Sequence, residues 1–403
     1  MMSVLRHVRS TLARARFGLM ELSGSLGDMG TFLPLLVAMV EINGLPLVPS
    51  LFFAGLFNLM TGCLYAVPMA VQPMKAIAAA AITEGVSAEG IVAAGLVAGV
   101  VVLLLGVTGT IRLIDRIVPE AIVRGLQLGI GLALARRAVG WILEADGALT
   151  WIAVAASLAL VVASLRWTLP AALLVFGGGL ALEAALAPGV LADLRLSISL
   201  PVPRPLPPAA LVEGLPLALA QIPLTTLNSV IGLVLLARDL YPARDANGLP
   251  GRAAAVSERS VSTTVGLMNI VGALFGAMPM CHGAGGLAGQ HRFGARTNGS
   301  VLALGTAKMT VAVVLGAPLI GLVHAYPRPL LGVLLLAAGI ELAKMARRAR
   351  GRRALALALL TAAGTLGAGV MWGVLLGTAS HWLLGVAERM SGRSGGASRD
   401  RSR

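Results

Sequence analysis

Charge is scarce in this sequence: 12% of its 403 residues are Asp, Glu, Lys or Arg, whereas 57% are hydrophobic. A soluble domain of this size carries about 25% charged residues to cover its surface, so a soluble globular fold is excluded. Cysteine is nearly missing. Cys63 and Cys281 are the only two, both in apolar stretches, which leaves no disulfide framework and no zinc ligand set and reads each as a small buried side chain. The five histidines are scattered along the chain. A membrane-embedded enzyme would need a metal-ligand cluster, a nucleophile with its base, or paired carboxylates facing one cavity, and the sequence shows none of these. It is read as a non-enzyme without a cofactor.

Long apolar stretches are abundant, as at 91–110, 151–165 and 301–323, and short polar breaks separate them almost to the end of the chain. This pattern describes an all-α polytopic membrane protein with roughly fourteen segments. The net charge of +14 would suit a nucleic-acid partner, but the basic residues cluster between apolar segments and at the two ends: 6–16, 112–124, 238–259, 292–296, 344–353 and 389–403. Orientation in the bilayer explains that placement better, and it puts both termini in the cytoplasm of a plasma (inner) membrane protein. Residues 1–16 are read as a basic cytoplasmic tail and 388–403 as a disordered basic tail.

PVPRPLPP, residues 201–208, has five prolines in eight residues and is an extended linker. It divides the chain into two halves, 17–200 and 209–387. An odd number of crossings in each half, roughly seven, would invert the second relative to the first. A faint echo supports the division, since VPMAVQP at 67–73 resembles MPMCHGA at 278–284 and each lies in the third apolar segment of its half.

These two stretches are where helices break. Pro68 and Pro73 prevent a continuous helix, and the alanine-rich AIAAAAI that follows is a strong helix former, so an extended piece should lead into a half-helix near Gln72. In the second half His282 is followed by Gly283, Ala284, Gly285 and Gly286, which allow close backbone approach at the start of another half-helix. Non-helical backbone at membrane depth is tolerated only beside protein or a water-filled cavity. Two half-helix N-termini facing one another offer unpaired amides and partial positive charge, which is an anion site. Lys75 and His282 would add charge to it, although a partnership of Lys75 with Asp28 or Glu84, or simple packing of His282, would also account for them. Polar residues in the first segment of each half complete the candidate site: Asp28 and Thr31, then Gln221, Thr225, Asn228 and Ser229. Helix-to-helix hydrogen bonding is the competing reading for these. His324, His381 and Glu341 look peripheral. Asp28 or Glu21 is the candidate for a coupling proton.

At GDMGTFLPL (27–35), VQPMKAIAAAAI (71–82), VRGLQLG (123–129) and PMCHGAGGLAGQHRFGART (279–297), the sequence resembles the molybdate transporter family, related to the sulfate permeases. The resemblance covers roughly 17–387. It implies a fold similar to the uracil and sulfate permeases, with seven-plus-seven inverted segments forming a core domain and a gate domain, and no C-terminal regulatory domain. A homodimer is a candidate assembly. The implied activity is secondary transport of a tetrahedral oxyanion by alternating access, with molybdate preferred over sulfate on the resemblance alone. An anion channel and a nucleobase permease are the alternatives on the same fold. The second is disfavoured because the half-helix at 282–290 has no acidic residue to bond a ring edge.

Overall fold

A computed structural model describes residues 2–111, 118–167, 169–186, 189, 195–241, 251–316, 318–348 and 351–396. The described chain is helical almost throughout. In the first half lie α1 (Met2–Leu12), α2 (Leu19–Ser25), α3 (Met29–Asn43), α4 (Leu47–Leu64), α5 (Lys75–Glu84), α6 (Ala88–Thr108), α7 (Glu120–Ile142), α8 (Gly147–Arg166) and α9 (Ala171–Leu186). The second half holds α10 (Pro208–Leu224), α11 (Gly232–Leu240), α12 (Glu258–Ala273), α13 (Ala284–Arg292), α14 (Gly299–Leu315), α15 (Pro318–His324), α16 (Arg328–Lys344), α17 (Arg352–Ala368) and α18 (Val370–Gly396).

Most of the longer helices are apolar on all sides, as expected of helices that meet lipid on one face and protein on the other. α6 shows how such a helix is delimited. Ser87 caps its start by accepting from the Gly90 amide, and Gly109 ends it in the left-handed region at φ 74°. By length and composition, six helices among the described residues can cross a membrane, or seven if α14 and α15 form one bent span. The protein is an integral membrane protein. The basic stretch read as an N-terminal tail is ordered from residue 2 as α1, which packs on α4: His7 Nε2 donates to the Leu64 carbonyl at 2.9 Å. At the other end α18 continues to Gly396, into the stretch read as disordered, and 397–403 lie outside the described residues.

Two groups of helices pack side by side. α4 runs along α14, and α6 along α12 and α10; separately, α7 lies against α16 and α17. Glycines set the closest approaches. A Cβ on Gly55 of α4 would stand 2.7 Å from the Gly305 carbonyl of α14, and a Cβ on Gly131 of α7 would stand 2.5 Å from the Gly339 carbonyl of α16. Without side chains at these points the backbones meet directly, and dispersion contacts replace the hydrophobic drive that lipid cannot supply.

Pro201–Pro207 lies outside helix and strand and is pinned at Arg204, whose amide donates to the Leu274 carbonyl at 2.8 Å. The only β structure among the described residues is a pair of two-residue strands, β1 (Gln72–Pro73) and β2 (Met280–Cys281), paired antiparallel with Gln72 opposite Cys281. These are the two broken stretches, and they satisfy each other. The Met74 amide donates to the Pro279 carbonyl at 2.9 Å, and Asn269 of α12 serves the far side of β2 by bonding both the amide and the carbonyl of Met280. The polar backbone that proline and glycine force open is thus paired within the protein.

Candidate functional site

Each strand runs directly into a half-helix, so the N-termini of α5 and α13 lie on either side of the two-strand ribbon. At α5 the amides of Ala76 and Ile77 are taken by Gln221 Oε1, at 2.8 and 3.3 Å, and Gln221 Nε2 donates onward to Thr225 at 2.8 Å. A side chain from the second half therefore caps the half-helix of the first. Lys75 remains available beside it, half-buried, with Nζ donating to Gln72 Oε1 at 3.0 Å.

The N-terminus of α13 is open by contrast. Gly285 is exposed and Ala284 half-exposed, and neither amide meets an acceptor among the described residues. A Cβ at Gly285 would meet nothing within 4 Å, because the residue faces a cavity. Gly283 and Gly286 do different work. A side chain on Gly283 would collide with Gln72 and come within 3.3 Å of Lys75 Nζ, and one on Gly286 would stand 2.9 Å from Gln72 Nε2. These two glycines make room for the Gln72–Lys75 pair.

Two adjoining cavities meet at this point, both lined by Thr31, Gly285 and Glu341. Lys75, Gln127 and Asn228 line the first, and Gln72, Ser164 and Arg292 line the second. Asn228 belongs to a π-helical stretch, Thr225–Ile231, between α10 and α11. Such wide turns are rare and concentrate at functional sites.

Of the thirteen residues expected at the site, Thr31, Gln72, Lys75, Asn228 and Gly285 line the cavities. Gln221, Thr225, Ser229, Gly283, Ala284 and Gly286 build the layer behind them; Ser229, for instance, donates to Cys281 Sγ at 3.3 Å. His282 requires a correction. It is fully buried, its Nδ1 meets the Ala70 carbonyl and its Nε2 meets Thr264 Oγ1, both at 3.0 Å, and it lines neither cavity. Its ring packs edge-on to Tyr65, so the packing reading describes it and its charge is not presented to the cavity.

Asp28 also stands behind the site. It is fully buried, 3.8 Å from Lys308 Nζ of α14, which in turn donates to Asn58 Oδ1 at 3.2 Å. Asp28 thus has a partner that the sequence reading missed, although Lys308 sits in LALGTAKMTVAVV and carries the same intramembrane-lysine signal as Lys75. Glu84 lies at the far end of α5, where it accepts from the Val370 amide. Glu21 accepts from the Arg296 amide at 3.0 Å. Glu341, read as peripheral, lines both cavities.

The sequence profile described as "Molybdate transporter of MFS superfamily" matches residues 20–134 and 213–342, more than half of the chain. The chain belongs to the molybdate transporter family. Molybdate transporter 1 of Arabidopsis thaliana is 36% identical over 380 residues, covering 82% of this chain and 80% of the relative. Every charged residue lining the two cavities, namely Lys75, Arg292 and Glu341, falls within the matched regions of this family member. The fold is also seen in solved structures. SLC26A9 superposes with a TM-score of 0.66 at 14% identity over 92% of this chain, which spans 65% of that longer protein. The transmembrane domain of a cyanobacterial bicarbonate transporter, BicA, gives 0.62 at 13% identity, covering 89% and 96% of the two chains.

Proposed function

We propose that this protein is a secondary transporter that carries molybdate, as a tetrahedral dianion, across the plasma membrane by alternating access. The observation that carries this reading is the open N-terminus of α13. The free amide of Gly285, with that of Ala284 beside it, faces a cavity that Thr31, Lys75 and Asn228 also line, so a backbone donor, a hydroxyl, an amide and one ammonium converge on a single space. Helix N-termini bind oxyanions through this combination of orphan donors and partial charge.

The proposed architecture has fourteen segments as two inverted repeats, with segments one to four of each half forming the core that holds the site and segments five to seven forming the gate. The helix packing supports this. If the halves are exchanged, the second segment corresponds to the ninth and the fourth to the eleventh, so the contact of α4 with α14 is equivalent to that of α12 with α6, and both pairs pack closely. The fifth corresponds to the twelfth, and α7 packs on α16. The cavities lie where the two helix groups meet, between Thr31 and Gly285 on one side and Gln127 and Glu341 on the other. Both termini are proposed to be cytoplasmic because the basic stretches share one side.

A thermal-shift titration of the purified protein against molybdate, tungstate, sulfate and uracil tests the reading. Stabilisation by molybdate and tungstate at lower concentration than by sulfate is expected, with none by uracil. A shift with uracil alone would replace the oxyanion reading with a nucleobase one.

A further inference from the structure

Glu341 stands out because it puts a carboxylate where the proposed substrate is an anion. It is exposed, it lines both cavities together with Thr31 and Gly285, and no ion pair or hydrogen bond to another described residue holds its side chain. Three other carboxylates on these helices differ. Asp28 faces Lys308, Glu41 is held by His324 and Arg328, and Glu120 is held by Arg124.

From these facts we infer that Glu341 is a proton-binding site coupled to the oxyanion site, so that one proton is taken up as each dianion binds. The inference rests on the oxyanion reading above. An ionised carboxylate and a dianion that line one cavity repel each other, because the protein on the remaining sides keeps the effective dielectric below that of bulk water. Protonation of Glu341 removes that repulsion and turns an acceptor into an O–H donor. The proton comes from water on the side to which the cavity is open, forms an O–H bond at one carboxylate oxygen, and leaves to water when that bond breaks after the oxyanion departs. No other reactant is required.

The charged neighbours agree with this assignment. Lys75 of α5 and Arg292 of α13 line the cavities from the core side, on the two half-helices. On α7, Arg124 Nη1 donates to the lining residue Gln127 at 3.1 Å while the same guanidinium is engaged by Glu120. Neither α3, α8 nor α9 adds a charged side chain to either lining. The cationic groups therefore cluster at the half-helices, and Glu341 faces them from the opposite group of helices.

The placement also suits coupling. Glu341 lies on α16, which packs against α7, whereas the donors lie on α13 and α3. Any sliding of one helix group past the other changes the separation between proton and anion, so the energy of one depends on the position of the other.

The test is molybdate affinity measured on the full-length protein in detergent between about pH 6 and about pH 8.5, for wild type, Glu341→Gln and Glu341→Asp. Wild-type binding should weaken by up to about tenfold per pH unit as pH rises, the slope for one linked proton. Glu341→Gln should bind tightly with a flat profile, and Glu341→Asp should restore the slope. In proteoliposomes, an inward proton gradient should stimulate uptake by wild type and not by the Gln variant. A Gln variant with the wild-type slope overturns the assignment of Glu341 and leaves the oxyanion site standing. Failure of the wild-type protein to bind molybdate at any pH overturns the oxyanion reading and this inference with it.

Discussion

The two half-helices begin alike and end up doing different things. Each follows a Pro-Met dipeptide and a two-residue strand, and the strands pair with each other. Yet α5 is alanine-rich, buried from Ala76 to Ile82, and has its first amides capped by Gln221, while α13 opens on glycine with bare amides. The first contributes a side-chain charge through Lys75; the second contributes backbone. The comparison shows that a shared break in the helix does not dictate a shared role. What divides the roles is whether another side chain reaches the orphan donors first.

The largest effect should come from closing the open end. Gly285→Val would place branched carbons in a space that now meets no atom within 4 Å, and molybdate binding should fall below detection. Valine at Gly177 or Gly178 of α9, which also meet open space but line neither cavity, should leave binding intact. Equal binding by Gly285→Val and wild type, read by titration calorimetry, would remove α13 from the site.

Lys75→Ala tests the charged end. A hydrogen bond to a charged group contributes about 1.5 to 3 kcal/mol, so affinity should fall by roughly 10- to 150-fold. Lys75→Arg should recover part of this, since a planar fork has a different reach from a point charge. Unchanged affinity in Lys75→Ala would assign the lysine to holding Gln72 alone.

The sequence shows the breaks and hides the caps. Pro68, Pro73 and the glycines after His282 mark non-helical backbone by local chemistry, because proline lacks a donor and glycine lacks a side chain. Lys75 is legible because an intramembrane charge is expensive wherever it points. Lys308 carries the same signal and pairs with Asp28 from another segment. What stays hidden is direction and distance along the chain. Gln221 reaches α5 across 145 residues, and His282 looks cationic until its two nitrogens are found bonded to Ala70 and Thr264. Glu341 looks peripheral in the sequence, and only the packing of α16 shows that it faces the cavities.

Removing the cap tests the comparison from the protein side. Gln221→Leu keeps the volume and strands the Ala76 and Ile77 amides, a cost of about 1 to 3 kcal/mol that should appear as a lower melting temperature. Affinity should fall less than in Lys75→Ala. Should the freed amides instead tighten molybdate binding, the ligand would have taken over the cap and both half-helices would be open ends of one site.

The smallest effect on binding should come from His282→Gln. The histidine is buried behind the ribbon, bonded at both nitrogens and absent from the cavity walls, so its loss removes up to two neutral hydrogen bonds of about 1 kcal/mol each from stability. Glutamine has one donor group and one acceptor on a similar reach, so part of that is retained. Molybdate affinity should stay within about twofold of wild type, since truncations away from the contacts of a site are near neutral. The pH profile matters more than the affinity. An unperturbed histidine changes charge near pH 6.5, inside the window used for Glu341, and a slope that vanished in His282→Gln would move the coupled proton from α16 to the ribbon. A slope retained in His282→Gln and lost in Glu341→Gln separates the two, and it would show that the second half supplies backbone at α13 and an acid at α16, but no cation from its histidine.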